Sequence, residues 1–267
     1  MKRAPHIALI INTSNQADYL ARVLGAVARQ TVKPAEVILA DDGSEEETRT
    51  LFAAWSKHQN FRAAHVWQKK EGFRRARILN KAVSEARAEY LVFLDGDTLP
   101  HPEFISDHSR LAKPGSFVQG HRALIEQRAA EWFGKGPFEV DRRRGLFARQ
   151  ITGWKHCFRW PMPLDRQRVD LHGVRGCNLG IWRDDLQRVN GYNEAFEGWG
   201  REDSELAARL LNSGVRRRDV RGWALCYHLW HPPASRAQLA SNDDLLASAI
   251  REGRKICERG LNLHEPA

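Results

Sequence analysis

The chain has 267 residues, which is enough for one large domain or two small ones. Hydrophobic residues make up 42% and charged residues 28%, values that are ordinary for a soluble globular protein. The 42 lysine and arginine residues outnumber the 33 acidic residues, and a net charge of +9 favours anionic partners: nucleotide-sugars, acidic glycolipids, a membrane surface or nucleic acid.

Strands and helices alternate in the first part of the sequence. Four apolar segments predict buried strands at residues 7–11, 36–40, 65–67 and 90–94. Apolar residues at helical spacing predict helices around 20–27, at 45–56 and at 75–86. Because this alternation is typical of parallel sheets, we predict an α/β fold: a Rossmann-like, mostly parallel central sheet flanked by helices.

The second part is less regular. We predict strands at 116–120, 176–182 and 223–228, and helices at 184–189, 202–212 and 237–258. The aromatic and arginine-rich segment 126–168 lacks a steady period and is predicted to form short helices and loops, as a lid or acceptor platform. No linker interrupts the chain. We therefore expect one domain, with a nucleotide-binding half (1–100), an acceptor-binding and catalytic half (101–234) and a C-terminal helix and tail (235–267).

Two aspartates stand where the fourth predicted strand leaves the sheet. The apolar run ends at Asp95-Gly96-Asp97, and Pro100 and Pro102 are expected to prevent the strand from continuing. Side chains i and i+2 of an extended chain point the same way, so both carboxylates are expected to converge on one ligand close to Gly96. Two oxygen ligands suit Mg²⁺ or Mn²⁺ shared with a phosphate-bearing substrate. The alternative is an Asp-Gly turn whose side chains only cap the backbone.

Two earlier strand ends are expected at the same edge of the sheet. The first carries Thr13 and Asn15, and the second carries Asp41 and Asp42. A carboxylate after the second strand can accept hydrogen bonds from a base or a ribose, as a nucleotide diphosphate site requires. The sequence lacks both the Gly-x-Gly-x-x-Gly fingerprint and the Lys-[Ser/Thr] phosphate loop, which argues against a dehydrogenase or a nucleoside triphosphatase.

Arginines at the start of the 75–86 helix are candidates for binding phosphate. Arg74 and Arg77 are i, i+3 neighbours and are predicted to clamp a pyrophosphate from one face of the helix. The alternative is that they belong to a solvated helix face.

An acidic cluster opens the 202–212 helix. One of its carboxylates is predicted to act as a general base, and Trp199 to form a wall on which a sugar ring stacks. The alternative is that the acids only satisfy free N–H groups at the helix start. His228 and His231 follow the last predicted strand, and either is a candidate metal ligand or a structural histidine.

Six short motifs occur in order along the chain: Asp41-Asp42-Gly43-Ser44, Gly72-Phe73-Arg74, Leu94-Asp95-Gly96-Asp97, Gly176-Cys177-Asn178-Leu179, Trp199-Gly200-Arg201-Glu202-Asp203 and Tyr227-His228. Together they resemble a GT-A glycosyltransferase of family 2 whose C-terminal half is similar to the galactosyltransferase type, as in bacterial chondroitin polymerases and animal β-galactosyltransferases. The resemblance covers roughly residues 5–232, and the motifs are specific jointly rather than singly.

The resemblance implies a nucleotide-sugar donor, and Mn²⁺ or Mg²⁺ held mainly by Asp97, with Asp95 beside it. A downstream histidine is the second protein ligand in such enzymes, and His228 matches that position better than His231. Two roles follow for the acidic motif: Asp203 acts as base in inverting members and Glu202 helps to bind the acceptor.

Two further implications concern the nucleotide and the acceptor. The resemblance implies that Asp41 or Asp42 binds uracil and ribose. Arg201 stands where the galactosyltransferase motif usually has a second aromatic residue, which favours an anionic or phosphorylated acceptor over N-acetylglucosamine.

The predicted function is the metal-dependent, inverting transfer of one sugar from a nucleotide-sugar, with UDP as the expected nucleotide, to a hydroxyl of a glycan or glycolipid. Family analogy suggests synthesis of lipopolysaccharide or another surface polysaccharide. The alternatives are a retaining transferase on the same fold and a non-catalytic basic protein that binds nucleotides or nucleic acid. No nucleic-acid motif occurs, so no nucleic-acid partner is expected.

Cysteine spacing and the N-terminus bear on the location of the protein. The four cysteines form no Cys-x-x-Cys pair, which favours reduced thiols over a disulfide framework. The basic start at residues 1–3 precedes an apolar run, 7–11, that is too short for a signal peptide, and no run approaches a transmembrane span. We therefore expect a cytoplasmic protein, with peripheral contact to the anionic inner face of the membrane as a further hypothesis.

Overall fold

The computed structural model describes residues 4–264. Its larger sheet has eight strands, and its smaller sheet has four. The strands of the larger sheet are β1 (Ile7–Thr13), β2 (Glu36–Asp41), β3 (Arg62–Trp67), β4 (Tyr90–Asp95), β6 (Ser116–Gln119), β9 (Leu164–Arg168), β10 (Leu179–Trp182) and β11 (Arg216–Arg221). The strands of the smaller sheet are β5 (Thr98–Pro100), β7 (Arg122–Ile125), β8 (Ile151–Thr152) and β12 (Cys226–Leu229).

Nine α-helices of the described residues surround these sheets. They are α1 (Ala17–Ala28), α2 (Glu46–Ser56), α3 (Arg75–Glu85), α4 (Phe104–Leu111), α5 (Gln127–Ala130), α6 (Phe138–Phe147), α7 (Arg183–Arg188), α8 (Glu202–Asn212) and α9 (Leu239–Arg251). Between residues 4 and 264, no helix combines the length and the apolar character needed to cross a membrane.

Alternating side chains of β1 explain how the helices pack on both faces of the larger sheet. Leu9 and Ile11 belong to the core cluster that α1 completes with Leu20 and Val23. Residues of the opposite face of β1, such as Ile10, belong to the cluster that contains the apolar side of α3. A strand buried on both faces reads as an uninterrupted apolar run, which is why the sequence identifies it so clearly. The predicted α/β fold with a large, mostly parallel central sheet and flanking helices is confirmed.

The strand order places the ends of β1 and β4 next to the second half of the chain. The larger sheet has the order β3-β2-β1-β4-β10-β6-β11-β9, and its first four strands are parallel. β10 then runs antiparallel between β4 and β6. The start of β10 is therefore beside the carboxyl end of β4, because Leu179 pairs with Phe93.

The smaller sheet contains an unexpected strand after Asp97. Pro100 was expected to prevent a strand, but it lies in β5, where it pairs with Cys226 of β12. β5 is at the edge of the smaller sheet, a position that tolerates proline because one side of the strand has no partner. In addition, the predicted strand at 223–228 is shorter and shifted, since β12 covers Cys226–Leu229.

Two strands of the larger sheet were missed in the sequence. β11 contains three consecutive arginines, yet Arg217 and Arg218 are buried and donate to the carbonyl oxygens of Asp170 and Leu111, respectively. β9 lies in the 126–168 segment that was predicted as short helices and loops, and it pairs with β11. Apolar periodicity cannot identify strands whose buried faces carry charged side chains with partners elsewhere in the chain.

Element boundaries differ at two other predicted segments. Gly176–Asn178 form a 3₁₀ turn, so the strand predicted at 176–182 begins only at Leu179. The C-terminal helix is shorter than predicted and covers Leu239–Arg251. The basic start at residues 1–3 and the end of the predicted C-terminal segment, 265–267, lie outside the described residues.

Candidate active site

A cavity of about 560 Å³ opens where β1 and β4 end and α8 begins. Carboxyl ends of parallel strands are the usual ligand-binding edge of such sheets. The residues that line the cavity and bear on its chemistry are Thr13, Arg75, Asp95, Asp97, Arg122, Gly176, Cys177, Trp199, Glu202, Asp203, His228 and His231.

Asp97, His228 and His231 form the group with metal-binding geometry. One ligand atom from each lies within 4.8 Å of the others. The Oδ2 atom of Asp97 is 3.2 Å from Nε2 of His231, and its Oδ1 atom is 3.6 Å from Nε2 of His228. β12 carries His228, and the backbone N–H of Leu229 donates to the carbonyl of Asp97, which fixes the two segments together. The structure thus provides one carboxylate and two imidazoles for a divalent ion.

The protonation of His228 and Asp97 suits metal binding. Burial lowers the pKa of His228 to about 4, so its imidazole is neutral at pH 7 and keeps a lone pair. The hydrogen bond to Asp97 raises the pKa of His231. Burial acts to raise the pKa of Asp97, but the hydrogen bond from His231 and the nearby imidazoles lower it overall. Asp97 is therefore ionised, as a metal ligand must be.

Arg75 organises a second group of carboxylates beside the first. Its Nη1 atom is 2.9 Å from Oδ1 of Asp203 and 3.1 Å from Oε1 of Glu202, and its Nη2 atom is 3.2 Å from Oδ1 of Asp95. The backbone N–H of Gly176 donates to Oδ2 of Asp203 at 2.7 Å. Burial acts to lower the pKa of Arg75, but the three carboxylates together raise it well above its ordinary value.

Gly176 permits this close arrangement. A Cβ atom at this position would lie 2.3 Å from Nη2 of Arg75 and 2.4 Å from Oδ1 of Asp203. A side chain on residue 176 would therefore displace the arginine or the aspartate. The motif that contains Gly176 is needed for the packing of the acidic group.

Glu202 lies in a more enclosed place than an ordinary helix-start glutamate. Its side chain is 9% exposed. Burial and the neighbouring Asp203 carboxylate raise the pKa of Glu202 to about 7, although Arg75 opposes the shift. Both acids at the start of α8, Glu202 and Asp203, also contact Arg75, beyond any role at the free N–H groups of the helix.

Asp95 and Asp97 contact different partners. Asp95 faces Arg75, whereas Asp97 faces the two histidines. Burial raises the pKa of Asp95, with a contribution from the Asp97 and Asp203 carboxylates, while Arg75 acts to lower it. Gly96 is approached by the end of β1, since its added Cβ would lie 3.0 Å from the carbonyl oxygen of Asn12. Both carboxylates line the same cavity, and their convergence on one ligand stays a prediction.

The predicted nucleotide residues divide into two groups. Thr13 lines the cavity, and its Oγ1 atom is buried without a hydrogen-bond partner. Asp41 and Asp42 are buried beside the cavity rather than in its lining. Asp41 accepts from the Ser44 N–H and contacts His65, while Asp42 accepts from Gln68 and Lys70 and from the Arg74 N–H. Asn15 accepts from the N–H of Glu45.

The structure does not give Arg74 and Arg77 the geometry expected of a clamp. Arg74 is the N-cap residue of α3, with φ of −120°, so it is outside the helix and the i, i+3 relationship does not hold. It pairs with Glu71, and Arg77 is exposed. In the part of the chain that the structure describes, neither Arg74 nor Arg77 lines the cavity. Trp199 does line it, with 43% of its surface exposed and Arg236 stacked over its ring.

Two cavity arginines were missed in the sequence. Arg75 follows Arg74 directly, and no local pattern distinguishes it, because its partners lie on β4 and α8. Arg122 donates to the Sγ atom of Cys177, and its Nε atom is buried without a partner. Burial raises the pKa of the Cys177 thiol to about 11, so this neighbour is neutral at pH 7. Among residues 4–264, no carboxylate forms an ion pair with Arg122.

The fold and this arrangement of carboxylates and histidines define the class of protein, a GT-A glycosyltransferase. Residues 8–185 match the family model of glycosyl transferase family 2, and residues 164–232 match that of the N-terminal domain of galactosyltransferase. The first match covers more than half of the chain. The chain therefore belongs to glycosyl transferase family 2.

Curated relatives carry glycosyltransferase names. The chain is 28% identical over 275 residues to validoxylamine A glucosyltransferase from Streptomyces hygroscopicus subsp. jinggangensis, covering 94% of this chain and 61% of the relative. It is 26% identical over 238 residues to chondroitin synthase from Escherichia coli, covering 83% of this chain and 34% of the relative. The chain thus spans about three fifths of the first relative and a third of the second.

Solved structures share the fold. The mannosyltransferase PcManGT from Pyrobaculum calidifontis, in complex with GDP-Man and Mn²⁺, has a TM-score of 0.64 at 20% identity, covering 93% of this chain and 65% of that one. GalNAc-T7 with UDP, GalNAc and Mn²⁺ has a TM-score of 0.64 at 14% identity, covering 86% of this chain and 45% of that one.

Proposed function

We propose that the chain is a metal-dependent, inverting glycosyltransferase that moves one sugar from a nucleotide-sugar to a hydroxyl of a glycan or glycolipid. The proposed donor is a UDP-sugar. The observation that carries this proposal is the presence, in one cavity, of the Asp97-His228-His231 group and the carboxylates around Arg75. Synthesis of lipopolysaccharide or another surface polysaccharide is the proposed setting.

The three candidate metal ligands fit a divalent ion. Asp97, His228 and His231 would hold it, and two imidazoles with one carboxylate suit Mn²⁺ better than Mg²⁺, which prefers oxygen ligands. When bound, the ion supplies Lewis-acid stabilisation of the departing diphosphate. Mn²⁺ in the structures of PcManGT and GalNAc-T7 supports this choice.

Asp203 is the proposed base. Arg75 and the Gly176 N–H hold its carboxylate in one orientation, and each oxygen keeps a further lone pair that can accept a proton. As Asp203 takes the proton of the acceptor hydroxyl, the oxygen forms a bond to the anomeric carbon and the bond to the diphosphate breaks. Glu202 is proposed to bind the acceptor. Thr13, Asn15, Asp41 and Asp42 would bind the nucleotide, with Thr13 the one that lines the cavity.

The acceptor is proposed to carry an anionic group. Arg201, which suggested this in the sequence, pairs with Asp243 of α9 and is not free. Arg122 replaces it as the supporting residue, because it lines the cavity and lacks a carboxylate partner in the described chain. Asp95 interacts electrostatically with Arg122 but forms no ion pair with it, so the partly buried guanidinium can still pair with an anion in the cavity.

A retaining transferase is the second candidate. Both oxygens of Asp203 are engaged by Arg75 and Gly176, contacts that a carboxylate with only a positioning role would also make. The anomeric configuration of the product, determined by NMR, decides between the two: an inverted product supports Asp203 as base, and a retained product contradicts it.

Calorimetric titration of UDP, UDP-sugars and GDP-sugars, with and without Mn²⁺, tests the proposed function. We expect metal-dependent binding to the wild type and its loss in Asp97→Ala, while the exposed control Asp184→Ala binds like the wild type. If no nucleotide binds the wild type under any metal, the proposal is overturned.

A further inference from the structure

The segment 138–169 concentrates apolar side chains on the protein surface. Fifteen large apolar side chains of the described residues are exposed, and seven of them belong to this segment: Val140, Phe147, Trp154, Phe158, Trp160, Met162 and Val169. Isolated exposed apolar residues are normal, but a concentration of them in one segment indicates an interaction surface.

The outer face of α6 carries both apolar and basic side chains. Val140, Arg143, Arg144 and Phe147 are separated by three or four residues and therefore share one face. All four are exposed, and Phe147 is 93% exposed. The opposite face contains the buried Asp141 and Gly145. The helix thus packs on the protein with one side and presents an apolar and basic stripe to the surroundings.

The turn after α6 continues this surface. Trp154 and Phe158 are in edge-to-face contact with a centroid distance of 6.4 Å, and Lys155 lies over the Trp154 ring. Arg142 of α6 stacks over Phe158 at 5.5 Å and joins the turn to the helix. We call Val140, Arg143, Phe147, Trp154, Lys155 and Phe158 the aromatic-basic patch.

The charge of this region is strongly positive. Residues 138–169 contain eight arginines and lysines and three acidic residues, Glu139, Asp141 and Asp165. Asp141 is buried and accepts from backbone N–H groups, and Asp165 pairs with Arg218. Glu139 pairs with Arg142, so each of the three acidic groups has a partner, while Arg143 and Lys155 are exposed at the surface.

The patch is close to the acceptor side of the cavity through the smaller sheet. Thr152 of β8 pairs with Leu124 of β7, and Leu124 in turn pairs with His228 of β12. The patch flanks β8 in the chain, because α6 precedes this strand and the turn with Trp154 follows it. A membrane that contacts the patch would therefore lie near the cavity in which a membrane-bound acceptor would react.

We propose that the aromatic-basic patch docks the protein on an anionic lipid bilayer. Aromatic side chains that alternate with arginine and lysine suit the interface, where the rings enter the headgroup region and the cations meet anionic lipids. A bilayer fits this charge pattern better than a second copy of the chain, which would bring two positive surfaces together. The inference deepens the proposed function, because it makes the acceptor a lipid-anchored glycan.

Flotation with vesicles tests the inference. The wild type should float with vesicles of 70% phosphatidylcholine and 30% phosphatidylglycerol at low salt, and poorly with pure phosphatidylcholine. Phe147→Ser combined with Trp154→Ser, and Arg143→Glu combined with Lys155→Glu, should each reduce partitioning at least about tenfold. The matched controls are Ile250→Ser with Ile256→Ser, and Lys57→Glu with Lys113→Glu, which change similarly exposed residues elsewhere.

Each outcome has a distinct meaning. Equal loss in patch and control variants, or no flotation of the wild type, overturns the inference. Size-exclusion chromatography that shows a wild-type dimer, broken by the patch variants, also overturns it in favour of a second copy. Circular dichroism and UDP titration of every variant verify folding. A wild type that floats without binding nucleotides contradicts only the proposed function, whereas one that binds nucleotides without floating contradicts only the docking surface.

Discussion

Arg75 and Asp203 form an ion pair with an Nη1–Oδ1 distance of 2.9 Å, between the first turn of α3 and the first turn of α8. The same guanidinium also contacts Glu202 and Asp95. One buried cation therefore links the carboxyl end of β4 to the start of the helix that carries the proposed base. The acidic site depends on this arginine for its shape as well as for its charge balance.

Arg75→Gln should destabilise the protein. Removal of one partner from a buried ion pair leaves uncompensated charge and typically costs about 3–5 kcal/mol, and here three carboxylates lose the same partner. Urea unfolding should show this loss in the free energy of unfolding at pH 8. The exposed Arg77→Gln is the control and should change it by less than about 1 kcal/mol. Equal stabilities for the two variants would show that Arg75 does not organise the site.

Both His228 and His231 should contribute to metal affinity. The sequence favoured His228, but the structure places both rings beside Asp97, with His231 at the shorter distance. Loss of groups that only orient metal ligands weakens binding about 10- to 100-fold, so loss of a ligand should cost at least as much. Mn²⁺ titration of His228→Ala and His231→Ala measures this, with the exposed His58→Ala as control. A variant with wild-type affinity would exclude that histidine from the metal site.

Asp203→Asn should abolish most turnover while donor binding remains. General-base catalysis contributes about 10²- to 10⁴-fold, and asparagine keeps the size of the side chain but cannot take the proton. The turnover number should fall by that factor, and the Kd for a UDP-sugar with Mn²⁺ should stay within about twofold. Asp184→Asn at the surface is the control. If turnover and donor binding fall together, Asp203 holds the site together rather than acting as base.

The sequence predicts those parts of the molecule that are determined by neighbouring residues in the chain. The strands β1, β2 and β4 are apolar runs, and the sequence placed Asp97 just after β4 and His228 at its last predicted strand; both residues line the cavity. Arg75 could not be predicted, because the carboxylates that it contacts lie on β4 and α8, far from it in the chain. The contacts of a buried charge depend on segments that are distant in the chain. The strand β11 was missed for the same reason, because its buried arginines have distant partners.

Glu202→Gln should change how stability depends on pH. In the folded protein burial raises the pKa of Glu202 from 4.5 to about 7, so between these values the folded state holds a proton that the unfolded state has released. The unfolding free energy of the wild type therefore carries a contribution that is lost as the pH rises from about 4.5 to about 7. Glutamine does not ionise and escapes this loss.

The stability of Glu202→Gln relative to the wild type should therefore increase from pH 5 to pH 8. A pKa difference between 4.5 and about 7 corresponds to an increase of about 3 kcal/mol in this relative unfolding free energy. Most of the increase falls between pH 5 and pH 8. Urea unfolding at both pH values in the presence of a chelator measures it, with Glu131→Gln, which removes an exposed carboxyl, as control. A relative stability that is constant or falls with pH would mean that Glu202 is ionised throughout, stabilised by Arg75 more than it is destabilised by burial.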